Sequence, residues 1–260
     1  METNFDVHAK NYNEIFTYSL IGKAQRSRVF HFLNKQNTLE NKLHILELNC
    51  GTGFDANSFS NMGHTVLATD ISSEMIKVAK QNYKNPTIEF KELDTRSITS
   101  TTFSDKFDFI FSNFGGLNCL SPKELKDFLS ISDSLLKPNG NMALVLMPKN
   151  CLWERFYFLL KGEFKKIARR NTNQPILANV EGVQIPTWYF NPKDIISNAS
   201  EKFKIVSLNP IGIAIPPSYL EPFFKNKKIF FKLLARKEKW LANKFWAKYA
   251  DHYLIVFQKK

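Results

Sequence analysis

Short apolar runs alternate with stretches of helical periodicity between residues 43 and 147. This alternation is typical of βαβ units that build a parallel sheet. The predicted strands of this region are residues 43–48, 64–69, 87–93, 106–112 and 141–147. Two later apolar runs, 203–213 and 252–258, would complete the sheet as a final hairpin. The sequence therefore predicts a doubly wound α/β fold, with a seven-stranded mostly parallel sheet, helices on both faces and an antiparallel last strand.

Helical patterns also occur outside this core. Residues 13–36 and 149–170 are each predicted to form an amphipathic helix. The helix before the fifth strand has clear end signals, because Ser121, Pro122 and Glu124 form a capping box and the tripeptide at 138–140 ends the helix. We expect a single domain over residues 1–260, divided into an N-terminal helical cap (1–36), an α/β core (37–148), a cap or lid insertion (149–190) and the last two strands (191–260) with a basic helical insertion at about 216–250.

Composition limits the classes of protein that remain. The 260 residues are 43% hydrophobic, which suits one α/β domain. Cys50, Cys119 and Cys151 match no zinc or disulfide framework, so we expect no metal site and a reducing, cytoplasmic location. There is no leader-like N-terminus and no run of about 18 uncharged apolar residues, so secretion and a membrane span are not expected.

The segment ILELNCGTGFDA, residues 45–56, is the candidate ligand-binding turn. Gly51 and Gly53 stand where a buried strand passes into a helix, a place where glycine permits positive φ and close approach to a ligand. The spacing of Gly51, Gly53 and Ala56 also satisfies the relaxed dinucleotide fingerprint G-x-G-x-x-A. An NAD(P)-dependent oxidoreductase therefore remains an alternative.

Charged residues around this turn favour a ligand with a cationic end. Glu47 and Asp55 flank the turn, and their carboxylates would repel a pyrophosphate but attract the ammonium and sulfonium of S-adenosylmethionine. Asp70, Asp94 and Asn113 end the second, third and fourth predicted strands, on the edge where open sheets bind ligands. A carboxylate such as Asp70 can accept both ribose hydroxyls of a nucleoside.

With these motifs, the chain resembles the class I S-adenosylmethionine-dependent methyltransferases of Rossmann-like fold, in the small-molecule branch whose first motif reads E-x-x-C-G-T-G. The resemblance covers about residues 5–148 and rests on FDVHAKNYNEIF, ELNCGTG, ATDIS followed by EMIKVAK, ELD, and FDFIFSNFGGLN. It implies that the methionine moiety lies against Glu47, Asn49, Cys50, Gly51, Thr52 and Gly53.

The same resemblance implies roles for the later strand ends. Asp70 would take the ribose, Ile71 and Met75 would flank adenine, and Asp94 beside Leu93 would bind the adenine edge. Asn113 and Phe114 would line the methyl end, and Tyr12 would close over the donor.

Methyl transfer needs little besides alignment, and a base is required only for an acceptor that must lose a proton. The candidate bases are His8, Tyr12 and Tyr189, while His252 is expected mainly to open a strand. The segment SNFGGLN differs from the N-P-P-Y type of motif that resembling nucleic-acid amino-methyltransferases use, which makes nucleic acid an unlikely acceptor. Aromatic residues in the predicted cap indicate a small lipophilic or aromatic acceptor, with oxygen favoured, although aromatic residues at helical spacing more often belong to core packing.

A strongly basic segment carries much of the net charge of +12. Residues 223–249 contain nine Lys or Arg and one acid, Glu238. A helical projection gathers apolar residues in one arc, with Lys232, Arg236 and Lys239 expected opposite; the arc consists of Ile229, Phe230, Leu233, Leu234, Trp240, Leu241 and Phe245. Three interpretations stay open: a helix packed on the sheet with a solvated basic face, an interfacial helix on anionic membrane lipid, and a nucleic-acid contact. A methyltransferase-like protein that binds nucleic acid or membrane lipid is thus a second alternative function.

Overall fold

A seven-stranded sheet lies at the centre of the computed structural model, which describes residue 9 and residues 12–36, 38–180 and 183–260. Its strand order is β3-β2-β1-β4-β5-β9-β8, and β9 is antiparallel to both of its neighbours. The strands are β1 (His44–Leu48), β2 (Thr65–Asp70), β3 (Ile88–Glu92), β4 (Phe107–Ser112), β5 (Leu136–Leu146), β8 (Phe203–Ile211) and β9 (His252–Lys259). The predicted seven-stranded sheet with an antiparallel last strand is confirmed.

Both faces of this sheet are covered, because side chains of a buried strand alternate between two cores. In β1, Leu46 and Leu48 join the core on one face, whereas Ile45 joins the core on the other. The covering elements are helices α1 (Leu20–Lys35), α2 (Phe54–Asn61), α3 (Ser73–Asn82), α4 (Pro122–Leu135), α5 (Leu152–Leu160), α6 (Pro192–Ala199), α7 (Glu221–Phe224) and α8 (Lys228–Trp240). No helix in the described ranges is long and apolar enough to cross a membrane.

The capping box predicted for α4 is present. The backbone N–H of Glu124 donates to Oγ of Ser121 at 3.3 Å, and the N–H of Ser121 donates to Oε2 of Glu124 at 2.7 Å. At the other end the prediction needs correction. The helix stops at Leu135, and Pro138, Asn139 and Gly140 lie inside β5, in a bulge where the pairing with β4 shifts register.

Two predicted helices are shorter than expected. The first begins at Leu20, because Oγ of Ser19 accepts the N–H of Gly22 and caps it, and one turn of π-helix (Asn13–Thr17) precedes it. The helix predicted over 149–170 ends at Leu160, where Gly162 adopts a φ of 70° and gives the left-handed C-terminal stop. A short 3₁₀ turn, Phe164–Lys166, follows it.

A two-stranded hairpin lies within the insertion predicted at 149–190. Strands β6 (Ile176–Val180) and β7 (Val183–Thr187) pair antiparallel, with Ile176 opposite Thr187. Sequence analysis missed both strands. Each is only five residues long and β7 contains Pro186, which removes a backbone donor and weakens the strand pattern.

Candidate active site

The turn between β1 and α2 has the backbone conformation that its glycines predict. Gly51 and Gly53 have φ values of 53° and 82°, and Asn49 also lies in the left-handed region at 56°. A Cβ atom on Gly53 would lie 2.7 Å from Cε1 of Phe90. Glycine is therefore required at position 53 both by its φ and by the close approach of β3.

Asp70 joins the end of β2 to this turn. Its Oδ2 accepts the N–H of Gly51 at 2.8 Å, and its Oδ1 accepts the N–H of Ser72 at 2.9 Å. The carbonyl of Asp70 also accepts the N–H of Leu93 at 2.8 Å. These bonds hold Asp70, Gly51 and Leu93 together at the carboxyl edge of the sheet. All three were predicted to bind the methyl donor.

The remaining residues predicted for the adenine end lie beside Asp70 and after β3. Ile71 is half-buried and Met75 is buried at the start of α3. Asp94 caps a 3₁₀ turn and forms an ion pair with Arg96 at 2.7 Å. Hydrogen bonds from Arg96 outweigh the effect of partial burial and lower the pKa of Asp94. Its role toward adenine stays a prediction.

The two acidic side chains that flank the turn differ in their partners. Asp55 accepts Nε of Arg26 at 2.8 Å and Nδ2 of Asn113 at 2.9 Å, so its charge is already compensated. Glu47 is 2% exposed, and its Oε2 has no hydrogen-bond partner among the described residues. Burial, followed by the charge of Asp55, raises the pKa of Glu47 well above its usual value.

Arg26 was not predicted as a site residue. It lies on α1, and its guanidinium packs over the rings of Phe54 at 4.8 Å and Phe114 at 5.2 Å. Its Nη1 is buried without a hydrogen-bond partner within the described part of the chain. A signal for it was present in the sequence, because Arg26 falls between Ile21 and Val29 on the buried stripe of the helix.

The loop after β4 closes the other side of the site. Phe114 adopts a φ of 43°, and its ring contacts Phe16 edge-on at 5.2 Å. A Cβ atom on Gly116 would lie 2.4 Å from Cβ of Asn49, so the two turns touch directly at this glycine. This close approach gives a physical reason for Gly116 in the SNFGGLN segment.

Tyr12 lies beside the glycine turn, and its closure over the donor stays a prediction. Its Cε1 lies 3.7 Å from the position that a Cβ on Gly51 would take, and the next residue, Asn13, accepts Oγ1 of Thr52 at 2.6 Å. Burial is the main cause that raises the pKa of Tyr12 to about 12. Its hydroxyl therefore stays protonated near neutral pH, which suits a covering residue better than a base.

These elements border a small cleft with a cavity volume of about 20 Å³. Seven predicted residues line it: Tyr12, Asn49, Cys50, Gly51, Thr52, Asn113 and Phe114. Four further lining residues are Thr17, Arg26, Phe54 and Asp55, of which only Asp55 was considered from the sequence. The predicted nucleoside residues lie outside this lining, although Asp70 is bonded to Gly51 within it.

The predicted bases have different surroundings. His8 lies outside the described residues. Tyr189 is buried against Arg170, whose guanidinium lies 5.0 Å from the ring, and it does not line the cleft. His252 lies at the same edge of the sheet, with Nδ1 3.1 Å from Oδ2 of Asp251 and its ring edge-on to Phe114 at 5.5 Å.

Known proteins resemble this chain in the sequence that contains the glycine turn and in the fold. Residues 45–140 match the model of the methyltransferase domain family. The chain is similar to methyltransferases over this part of its length. It is 30% identical over 145 residues to malonyl-[acyl-carrier protein] O-methyltransferase of Bacillus anthracis, a match that covers 52% of this chain and 51% of that protein. It is 32% identical over 117 residues to demethylmenaquinone methyltransferase of Paenarthrobacter aurescens, over 44% of this chain and 43% of that protein.

The chain thus spans about half the length of the curated relatives it matches. The similarity in fold extends further. A putative S-adenosylmethionine-dependent methyltransferase from Listeria monocytogenes superposes with a TM-score of 0.60 at 16% identity, over 89% of this chain and 96% of that one. The similarity in fold therefore reaches beyond residues 45–140.

The charges beside the glycine turn are complementary to the amino-acid end of S-adenosylmethionine. That end carries an ammonium and a carboxylate, and the glycine turn is flanked by one unpartnered carboxylate oxygen, on Glu47, and one unpartnered guanidinium nitrogen, on Arg26. Buried polar atoms without partners are costly, and each of these two would gain a partner of opposite charge from the donor.

Proposed function

We propose that the chain transfers a methyl group from S-adenosylmethionine to a small lipophilic or aromatic acceptor, with oxygen as the favoured acceptor atom. The observation that carries this proposal is the pair of buried unpartnered atoms beside the glycine turn, Oε2 of Glu47 and Nη1 of Arg26. A dinucleotide would bring its pyrophosphate to the same turn, where the carboxyl group of Glu47 offers no favourable partner to it.

In this proposal Glu47 binds the ammonium of the donor and Arg26 its carboxylate. Gly51 and Gly53 let the backbone approach the methionine moiety, with Asn49, Cys50 and Thr52 beside them. The nucleoside lies against Asp70, Ile71, Met75, Leu93 and Asp94. Asn113 and Phe114 border the methyl group, and Tyr12 covers the donor from the N-terminal side.

When bound, the donor supplies a methyl group on a sulfonium, which an acceptor displaces in line. The residues of the chain align the two reactants and exclude water. Phe16, Phe54 and Phe114 surround Arg26 and make this end of the cleft apolar around a fixed charge. A dry site strengthens the electrostatic contacts made inside it.

If the acceptor must lose a proton, His252 has the most suitable position of the residues considered. It contacts Phe114 at the proposed methyl end, and the carboxylate of Asp251 lies within ion-pair distance of Nδ1. A carboxylate in this place orients an imidazole and stabilises it once it has accepted a proton. Neither Tyr189 nor His252 lines the cleft, but no contact of Tyr189 with Phe114 is seen among the described residues. The raised pKa of Tyr12 disfavours Tyr12 as a base.

The proposed acceptor rests on the surroundings of the cleft and on the relatives. Two aromatic side chains, Phe54 and Phe114, line the cleft, which suits an apolar acceptor. One relative is named for O-methyl transfer, which supports oxygen as the acceptor atom. We further propose a cytoplasmic enzyme that reaches the inner face of the membrane through residues 223–249.

Isothermal titration calorimetry with S-adenosylhomocysteine tests the proposed function. The wild type should bind, and Asp70→Ala should weaken binding by roughly 1–3 kcal/mol, the cost of losing charge-assisted hydrogen bonds. Asp127→Ala, an exposed carboxylate on α4, is the matched control and should bind like the wild type. Binding of NADP without binding of S-adenosylhomocysteine would overturn the assignment.

A further inference from the structure

Helix α8 has apolar residues on two opposite faces. With about 100° per residue, Phe231, Leu234 and Glu238 project to one side, and Ile229, Leu233 and Trp240 fall within about 40° of each other on the other side. The first group faces the protein, whereas Ile229, Leu233 and Trp240 are 80%, 49% and 87% exposed. A helix that packs only on its own domain presents polar residues outward, so this outer apolar stripe requires an explanation.

The expected arrangement of α8 is therefore wrong in one respect. Lys232, Arg236 and Lys239 were expected opposite the apolar arc. Instead they are exposed on the flank of the outer stripe, and the residues opposite the stripe are buried. The basic and apolar residues thus share the solvent-facing side.

Helix α5 exposes a second apolar stripe. Leu152, Phe156, Leu159 and Leu160 recur at helical spacing and are 40–71% exposed. Two aromatic contacts join α5 to the segment before α8: Trp153 meets Phe224 at 6.2 Å, and Tyr157 meets Tyr219 at 5.6 Å. Tyr219 and Phe223 are themselves exposed in this segment. We call the exposed residues of 152–160 and 219–240 together the α5–α8 surface.

The carboxylates of this region do not offset its positive charge at the surface. Glu238 is 1% exposed, and it accepts the backbone N–H groups of residues 212–215 at 2.6–3.3 Å. Glu221 accepts the N–H groups of Leu20 and Ile21, both at 2.9 Å. Residues 222–249 contain no acid besides Glu238. The buried carboxylate thus fixes the orientation of α8 and leaves its exposed lysines without acidic neighbours on this segment.

We propose that the α5–α8 surface docks on an anionic lipid bilayer, with its lysines at the lipid phosphates and its apolar stripes in the interfacial region. Exposed Lys and Arg beside Trp, Phe and Leu on a fixed helical face are the features of an interfacial helix. A second copy of the chain would bring like charges together. A nucleic acid would pair with the lysines but leave the aliphatic residues of both stripes in water.

Co-sedimentation of the full chain with vesicles tests this docking. Phosphatidylcholine vesicles with phosphatidylglycerol should bind the protein, and vesicles of phosphatidylcholine alone should bind it far less. Lys225→Ala and Lys228→Ala should each weaken binding about fivefold, the effect of one basic residue near an anionic surface. Trp240→Ser should weaken it about tenfold or more, as expected for a large apolar side chain that leaves the interface.

Matched controls come from exposed residues away from this surface. Met62→Ser at the end of α2 and Lys126→Ala on α4 should bind vesicles like the wild type. All variants should bind S-adenosylhomocysteine unchanged, because the α5–α8 surface contributes no residue to the lining of the cleft. This second measurement separates failure of docking from failure of the proposed methyltransferase function.

Three results would overturn the docking proposal. The first is a wild type that fails to bind phosphatidylglycerol vesicles at low salt. The second is vesicle binding that Trp240→Ser and Lys228→Ala leave unchanged. The third is occupation of the surface by another partner, seen either as a concentration-dependent dimer that Trp240→Ser abolishes or as a single-stranded oligonucleotide that prevents vesicle binding.

Discussion

Replacement of Gly53 by alanine tests two reasons for a glycine in the glycine turn. One is the positive φ at this position, and the other is the lack of space for a Cβ atom. Position 53 has a φ of 82°, and an added Cβ would lie 2.7 Å from the ring of Phe90. Gly63, after α2, has a φ of 94° but open space around the same position. Gly63→Ala therefore reports backbone strain alone, and Gly53→Ala reports strain together with the clash.

The expected losses follow from these two contributions. Left-handed strain costs about 1–2 kcal/mol, and about 0.4–1 kcal/mol is regained because alanine restricts the unfolded chain. Gly63→Ala should thus lose about 1 kcal/mol. A clash in a packed core adds about 1–3 kcal/mol, so Gly53→Ala should lose about 2–4 kcal/mol. Urea denaturation measures both losses as free energies of unfolding.

Phe90→Leu supplies a test of the contact itself. In that background Gly53→Ala should cost less than in the wild type, with a coupling of about 0.5–3 kcal/mol in a double-mutant cycle. Equal losses for Gly53→Ala and Gly63→Ala, or no coupling to Phe90, would refute the idea that close approach of β3 dictates this glycine.

Three other predictions concern charges and caps. Affinity for S-adenosylhomocysteine should rise with pH below the raised pKa of Glu47, because a bound ammonium favours the ionised carboxyl group. In Glu47→Gln this pH dependence should be lost, which calorimetry at several pH values would show. Asp251→Asn should destabilise the protein by about 3–5 kcal/mol at neutral pH, because it breaks a buried ion pair with Arg170. Burial opposes ionisation of Asp251, but its basic neighbours outweigh burial and lower its pKa. The difference between Asp251→Asn and the wild type in free energy of unfolding, measured by urea denaturation, should therefore shrink as the pH falls below about 5. Ser121→Ala should cost about 1 kcal/mol through loss of the capping box, whereas Ser130→Ala later in the same helix should cost less in thermal denaturation.

Much of the fold could be predicted because its signals are local. Most strands of the sheet contain short apolar runs, and the start of α4 is marked by Ser121, Pro122 and Glu124 within four positions. The hairpin of β6 and β7 was missed because its strands are short and carry no strong alternation. Its pairing depends on residues that meet only after the chain has turned back.

The residues of the candidate site also differ in whether local sequence signals could predict them. The glycine turn was predicted because its spacing along the chain reflects the geometry of one strand-to-helix unit. The roles of Asp70 and Tyr12 toward the donor stay predictions. Arg26 was not predicted because its place in the site depends on its ion pair with Asp55. Asp55 lies 29 residues further along the chain, and only the folding of α1 onto the sheet brings the two side chains within 2.8 Å.

The sequence by itself determined the seven strands of the central sheet, the glycine turn and the acidic residues around it, because each follows from periodicity or from spacing along the chain. Only the tertiary structure decided which charges are compensated and which faces are buried. Asp55 is neutralised by Arg26, whereas Glu47 keeps an unpartnered oxygen, and Glu238 turns the basic and apolar side of α8 outward. Such properties depend on contacts between segments distant in sequence, and no local pattern encodes them.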